Sequence, residues 1–205
     1  TCALPICVDL AVNEGEVVGL VGESGCGKST LGRMVAGILE PSEGDVLYRG
    51  RAVAQLDRVE ATRAALAVQM IFQDPFASLN PRMRVRDIIG EAPAYHGLVP
   101  RSGVDAHVDE TMARVGLDPG YKRRFPHQFS GGQRQRIGIA RALAVRPEFV
   151  VCDEAVAALD VSIQAQILNL FMKLREELAL TYLFISHDLG VVRHLSDRVV
   201  IMYLG

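Results

Sequence analysis

The sequence predicts an α/β fold built on a parallel sheet, and three observations carry that prediction. Short apolar runs rich in β-branched residues recur over 17–21, 67–72, 148–152, 181–185 and 198–204, each the length of a buried strand. Stretches of helical periodicity lie between them. The first run passes through a glycine-rich turn straight into one of those helices. Strands that alternate with helices imply parallel pairing with right-handed crossovers.

Taken in order, residues 7–13 alternate loosely and read as a strand, and residues 13–16 carry turn chemistry. The strand over 17–21 comes next, then the glycine-rich turn, then a helix whose Leu31, Met34, Val35, Ile38 and Leu39 recur at helical spacing. Glu40-Pro41-Ser42-Glu43-Gly44 is a stop and turn. Residues 45–50 read as strand and turn, 51–67 as turn and short helix, and 67–72 as a buried strand closed by Gln73-Asp74-Pro75. The character then changes. From 76 to about 128 the prolines at 75, 81, 93, 100, 119 and 126 punctuate short helical patterns, two of them at 85–94 and 104–115. This segment is expected to form a mostly helical subdomain inserted into the α/β core. A helix over 131–145, with Ser130 as N-cap, buries Ile137, Ala140, Leu143 and Ala144. A long amphipathic helix over 161–180 buries Ile163, Ile167, Leu170, Leu174 and Leu178. A short helix is expected at 189–195.

The 205 residues have room for one large domain or a core with a subdomain. Their 49% hydrophobic and 22% charged content is ordinary for a globular protein. A formal charge of −2 gives no electrostatic case for nucleic acid as a partner. No apolar run approaches the roughly 20 residues of a spanning helix, so if a membrane matters the span has to come from another chain. Cys2, Cys7, Cys26 and Cys152 show no paired spacing and read as reduced thiols. Residues 1–6 lack the features of a signal peptide and are read as non-native, and the chain is expected to be truncated at both ends.

The chemistry begins with Gly22-Glu23-Ser24-Gly25-Cys26-Gly27-Lys28-Ser29-Thr30. Set between a strand and a helix, this is a phosphate-binding P-loop. Its glycines let backbone N–H groups close around phosphate, and the helix N-terminus adds partial positive charge. Lys28 can reach the β- and γ-phosphates, and the Ser29 hydroxyl can bind Mg²⁺. Asp153 ends a buried strand, the usual place for a Mg²⁺-organising carboxylate, and Glu154 beside it is free to act as general base on water. His187, also after a strand, can contact the γ-phosphate. Gln73 can ligate Mg²⁺ or water, or simply cap a turn. Ser130-Gly131-Gly132 either caps a helix or binds phosphate through it. Ligands in such sheets sit at the C-terminal ends of the strands, where these clusters fall.

The set Gly22 to Ser29, Gln73, Phe129-Ser130-Gly131-Gly132-Gln133, Asp153-Glu154, Ala158-Leu159-Asp160 and His187 resembles the nucleotide-binding domain of ABC transporters. The stretches 72–82 and 160–166 are similar to oligopeptide and dipeptide importer ATPases. The resemblance implies a P-loop NTPase, RecA-like core over 7–73 and 145–205. It further implies a small antiparallel β-subdomain, and a helical subdomain over 74–144 that carries the signature motif. It implies ATP and Mg²⁺ as cofactors, with Ser29, Gln73 and Asp153 at the metal, and Glu154, His187 and Lys28 in catalysis. Gln133 and Asp160 join the nucleotide-binding set. The implied assembly is a head-to-tail dimer, of identical or paralogous copies, that sandwiches two ATP molecules. Each is held by one copy's P-loop and the other's Ser130-Gly131-Gly132. Permease subunits, indirectly a solute-binding protein, and a place on the cytoplasmic face of the cell membrane complete the expectation.

Three departures stand out. Ala155 and Ala157 replace the subfamily's usual proline and serine. The resemblance implies an adenine-stacking aromatic that is expected to fall before residue 1, and a peptide-transporter extension expected beyond residue 205. Two other readings compete with transport. One is an ABC ATPase of phosphonate metabolism, repair or translation, and the other is a non-hydrolysing regulatory module. The stretch between Lys28 and Ser130 is too short for the long coiled coil of a chromosome-structuring relative. Zinc cysteine pairs of a repair protein are absent.

Overall fold

The structure is a computed structural model and describes residues 8–203, the side chains of residues 75 and 76 excepted. The expectation about residues 1–6, and Cys2 and Cys7, lie outside the described residues. Over 8–13 no strand forms. The loose alternation there has no ladder among the described residues, and alternation alone cannot supply one.

Strand β1 (Val17–Gly22) is buried along its length and leads through the glycine-rich turn into helix α1 (Lys28–Val35). The expected strand over 45–50 and the turn after it form a two-residue hairpin of β2 (Leu47–Tyr48) and β3 (Arg51–Ala52). Arg49 and Gly50 both have positive φ, 51° and 78°, the geometry that lets a tight turn match the strand twist. Helix α2 (Arg58–Ala67) starts at a capping box of Asp57 and Glu60 and runs directly into β4 (Val68–Ile71). Ala67 therefore closes a helix and does not open the strand.

Helix α3 (Pro75–Ser78) is a single turn, and α4 (Val85–Tyr95) and α5 (Val104–Arg114) come after it. Pro93 lies buried inside the last turn of α4, within the helical pattern expected over 85–94. Its carbonyl then accepts from the N–H of Leu98 at 2.9 Å. Helix α6 (Gly131–Leu143) opens on Ser130. The chain ends with β5 (Phe149–Asp153), α7 (Val161–Leu178), β6 (Thr181–Ile185), α8 (Leu189–Leu195) and β7 (Arg198–Met202).

The chain divides into two compact units. One takes in the chain up to Met70, Glu148–Glu154 and the chain from Leu174 on; the other takes in Ile71–Pro147 and Ala155–Lys173. The sheet of the first has strand order β4-β5-β6-β1-β7, with β5, β6, β1 and β7 parallel. Its central strands are covered on both faces, which is why they read as continuous apolar runs. Gly32 on α1 lets that helix approach closely: a Cβ there would sit 2.6 Å from Ile185 Cδ1. The small two-stranded sheet is the expected antiparallel β-element. In the second unit α4, α5 and α6 pack on one another through Ile89, Val108, Met112, Ile137 and Ala140, none with measurable exposure. Each of the four larger side chains contributes roughly 1.5–3 kcal/mol of transfer free energy.

Candidate active site

The register of the parallel sheet builds the site. Ile185 of β6 is paired with Leu20 of β1 on one side and Asp153 of β5 on the other. The three strands thus run out at one level, and the segment after each emerges along the same edge. These segments are the P-loop, Glu154, and Ser186-His187.

In the P-loop, Gly25 and Gly27 hold φ of 83° and 98°, the left-handed region that only glycine enters without strain. Gly27 is the N-cap of α1 and offers no side-chain cap, so the first N–H groups of the helix stay available as anion donors. Lys28 is buried, and its ammonium donates to the carbonyls of Gly22 at 2.9 Å and Glu23 at 2.7 Å. Cys26 Sγ lies 3.7 Å from the same nitrogen. Glu23 and Ser24 are exposed, and Thr30 is half-buried.

Ser29 Oγ donates to Asp153 Oδ1 at 2.8 Å, joining residues 124 positions apart. Asp153 is buried, which pushes its pKa up, while the Ser29 hydrogen bond and the charges of Arg33 and Lys28 pull the other way. A hydroxyl and a carboxylate at hydrogen-bond distance form a hard-oxygen pair. They suit Mg²⁺, which takes one or two protein ligands and completes its shell with phosphate oxygens and water. Among the described residues no three of His, Cys, Asp and Glu gather into a self-sufficient metal site.

Glu154 adopts φ 48°, a conformation unusual for glutamate that is typical of functional positions. Its N–H donates to Ile185 O at 3.0 Å, pinning it to the end of β6. The carboxylate is one-fifth exposed, and its Oε2 lies 3.3 Å from His187 Nδ1. His187 is held by its neighbours rather than by burial. Ser186 is buried, its N–H donates to Leu20 O at 3.1 Å, and its hydroxyl accepts from the N–H of Asp188 at 3.0 Å. Asp188 Oδ1 in turn caps α8 through Gly190 and Val191. Beyond the residue types, nothing in the sequence signals this Ser186–Asp188 turn or the strained Glu154 backbone.

The remaining candidates belong to the second unit. Ser130 and Gln133 close a capping box: the Ser130 N–H donates to Gln133 Oε1 at 3.0 Å, and the Gln133 N–H to Ser130 Oγ at 3.4 Å. The box engages neither the Gly131 nor the Gly132 N–H. Gly132 is also a packing residue, since a Cβ on it would lie 2.6 Å from Ile163 Cγ2. Gln73 comes shortly after β4 and Asp160 precedes α7, both exposed. The Asp160 carbonyl accepts the first helical N–H, that of Gln164. Ala155 is fully buried and Ala157 half-buried.

A family model described as ABC transporter matches residues 7–157. The chain is 54% identical to the oligopeptide transport ATP-binding protein AppF of Bacillus subtilis (strain 168), over 97% of this chain and 60% of AppF. It is 51% identical to the oligopeptide transport ATP-binding protein OppF of Salmonella typhimurium, over the same shares. The chain thus spans 60% of the length of these relatives. Among solved structures, cbiO1 from Clostridium perfringens, part of the ABC transporter complex cbiONQ, superposes with a TM-score of 0.82. It is 29% identical, over 95% of this chain and 76% of that one. A dimeric ATP-binding cassette in a post-hydrolysis state, bound to ADP and Pi, superposes with a TM-score of 0.81. It is also 29% identical, over 95% and 84% of the two chains. With the P-loop, the Ser29–Asp153 pair and the Glu154–His187 pair on one sheet edge and the family model covering most of its length, this chain belongs to the ABC transporter family.

Proposed function

We propose that this chain binds and hydrolyses ATP to drive uptake of di- and oligopeptides through membrane-spanning permease subunits, working on the cytoplasmic face of the cell membrane. The observation that carries the reading is the pairing of Glu154 with His187, 3.3 Å apart, on the edge that also holds Ser29 against Asp153. The names of the relatives support the peptide class.

The geometry suggests a division of labour. Gly22 to Thr30 wrap the phosphates through backbone N–H groups, and Lys28 carries the positive charge to the β- and γ-oxygens. Ser29 and Asp153 would hold Mg²⁺, with Gln73 as a further ligand; the ion supplies neutralisation of phosphate charge. Glu154 accepts a proton from the attacking water. His187, fixed by Ser186 and Asp188, holds the Glu154 carboxylate in place and reaches the terminal phosphate. The N–H groups of Gly131 and Gly132, outside the capping box, suit an anion delivered from outside the chain. In a head-to-tail dimer, of identical or paralogous copies, they meet the nucleotide on the partner's P-loop, with Gln133 and Asp160 nearby. ATP then favours the closed dimer and hydrolysis releases it, which is how a ligand shifts a two-state equilibrium. A solute-binding protein joins only through the permease.

The test is turnover by the full-length protein with its membrane subunits. Glu154→Gln is expected to lower hydrolysis by about 10²–10⁴-fold, the usual worth of a general base, while ATP binding persists. Unchanged hydrolysis removes Glu154 from the role, and loss of binding as well assigns it to nucleotide retention.

A further inference from the structure

The stretch that precedes α7 has no local reason to turn. Ala155-Val156-Ala157-Ala158-Leu159 contains no glycine, proline, serine, asparagine or aspartate, the residues that specify turns. Alanine and leucine are strong helix formers instead. By composition α7, which begins at Val161, could run back through the whole stretch. The structure has turn there. One residue of α7 accounts for it. Val156 O accepts from the Leu159 N–H at 3.2 Å, which closes the turn, and from Gln164 Nε2 at 2.9 Å. In an α-helix that carbonyl takes the N–H four residues on, at Asp160; here both of its lone pairs are occupied. The main-chain N–H of Gln164 donates to Asp160 O at 2.8 Å. Gln164 thus grips the stretch at both ends, by its side chain at Val156 and by its backbone at Asp160. Val156 is buried and Gln164 half-buried, and all of these residues belong to the second unit.

We propose that Gln164 is a positioning residue for ATP hydrolysis: its side-chain amide keeps residues 156–160 out of the helix, and the turn so held presents Asp160 to the nucleotide on a second copy. The stretch carries no polar side chain before Asp160 that could do this from within. With the donor removed, Val156 O is free to take a helical partner, and the Ala-rich stretch can wind onto α7 and carry Asp160 with it. The inference rests on the reading of Asp160 as facing a partner's nucleotide. The clasp itself is measured without nucleotide or partner, so the two can fail separately.

The test uses the full-length protein. Gln164→Met keeps the length of the side chain and removes its donor, and Gln164→Lys supplies a donor again. Hydrogen exchange over residues 155–160 of the nucleotide-free protein, followed by mass spectrometry, is expected to quicken about fivefold in Gln164→Met, the usual worth of one hydrogen bond. It is expected to stay near wild type in Gln164→Lys, and in Gln166→Met, which removes an amide elsewhere on the same helix. With the membrane subunits present, Gln164→Met is expected to lose about tenfold or more in kcat, the cost of a displacement approaching 1 Å. KM for ATP should hardly move, because the P-loop is untouched, and Gln164→Lys should recover most of kcat. Thermal melting confirms that each variant is folded. Exchange that does not quicken in Gln164→Met, an equal change in Gln166→Met, or full kcat where exchange has quickened each overturns the proposal. Full kcat in Asp160→Ala, beside quickened exchange in Gln164→Met, overturns the placement of Asp160 and keeps the clasp.

Discussion

Asp153, proposed above as a Mg²⁺ ligand, sits in a place that disfavours its charge. Its carboxylate is buried at the end of β5, and burial pushes its pKa up, so the ionised form is disfavoured in the folded protein. One hydroxyl, from Ser29, offsets part of this. Asn at this position keeps an acceptor for Ser29 and removes the buried charge. Asp153→Asn is therefore expected to raise the denaturant midpoint at neutral pH. It should also weaken Mg²⁺ binding in the presence of ATP by at least the ~10–100-fold typical of losing a group that merely orients a metal ligand. Calorimetric titration beside urea unfolding checks both halves. A variant that is less stable and binds Mg²⁺ as well as wild type removes Asp153 from the metal site. Glu154, next in the chain, stores its tension in the backbone instead, at φ 48°. A sequence states neither fact, because it names residue types and not dihedrals or burial.

At the scale of elements, most of the site's scaffold was legible because the patterns were local. The turn at Gly22 to Thr30 fixes its strand and helix by composition, and Ser130 reads as an N-cap, which the structure closes into a capping box with Gln133. The readings that failed needed information from elsewhere. Residues 8–13 alternate as a strand does, yet no ladder partner is present for them among the described residues. Gly132 reads as a phosphate glycine, and the sequence is silent on a second demand made on it, its close approach to Ile163 in tertiary packing. The contact between these two residues can be tested. Ala is a better helix former than Gly by about 1 kcal/mol in a helix interior, less in a first turn, but overpacking costs about 1–3 kcal/mol. Ile163 is β-branched and cannot swing its Cγ2 away cheaply. Gly132→Ala is expected to lose about 1–2 kcal/mol net, and adding Ile163→Ala should show a favourable coupling of at least about 0.5 kcal/mol in a double-mutant cycle. Additive losses place the role of Gly132 outside packing.

Across the first unit as a whole, the two ends of the sheet do different work. The C-terminal strand ends carry the P-loop, Asp153, Glu154 and His187, and the opposite end carries a polar clasp between residues far apart in the chain. Glu16 Oε1 accepts from Arg198 Nε at 2.8 Å across 182 positions, and Glu16 Oε2 accepts from the Asn13 N–H at 2.8 Å. Val17 N–H donates to Asp197 Oδ2, Gly15 N–H to Thr181 Oγ1, and Arg175 to Gly15 O. The Arg198 hydrogen bond, and after it the one from Asn13, lowers the pKa of Glu16 to about 2. An unfolded glutamate titrates near ~4.3. Because the folded value is the lower one, the stability Glu16 contributes is fully present above about pH 4.3 and is lost as pH falls through 2. The size is held down by solvent, since the Arg198 side chain is 43% exposed, so the contribution at pH 7 is expected to be below about 1 kcal/mol. Glu16→Gln should therefore lower the urea midpoint slightly at pH 7, and the gap to wild type should close between about pH 4 and pH 2. Nucleotide affinity, set at the other end of β1, should not move. A gap that stays constant down to about pH 2 assigns Glu16 to packing rather than charge, and a fall in ATP affinity shows that the two ends of the sheet are coupled.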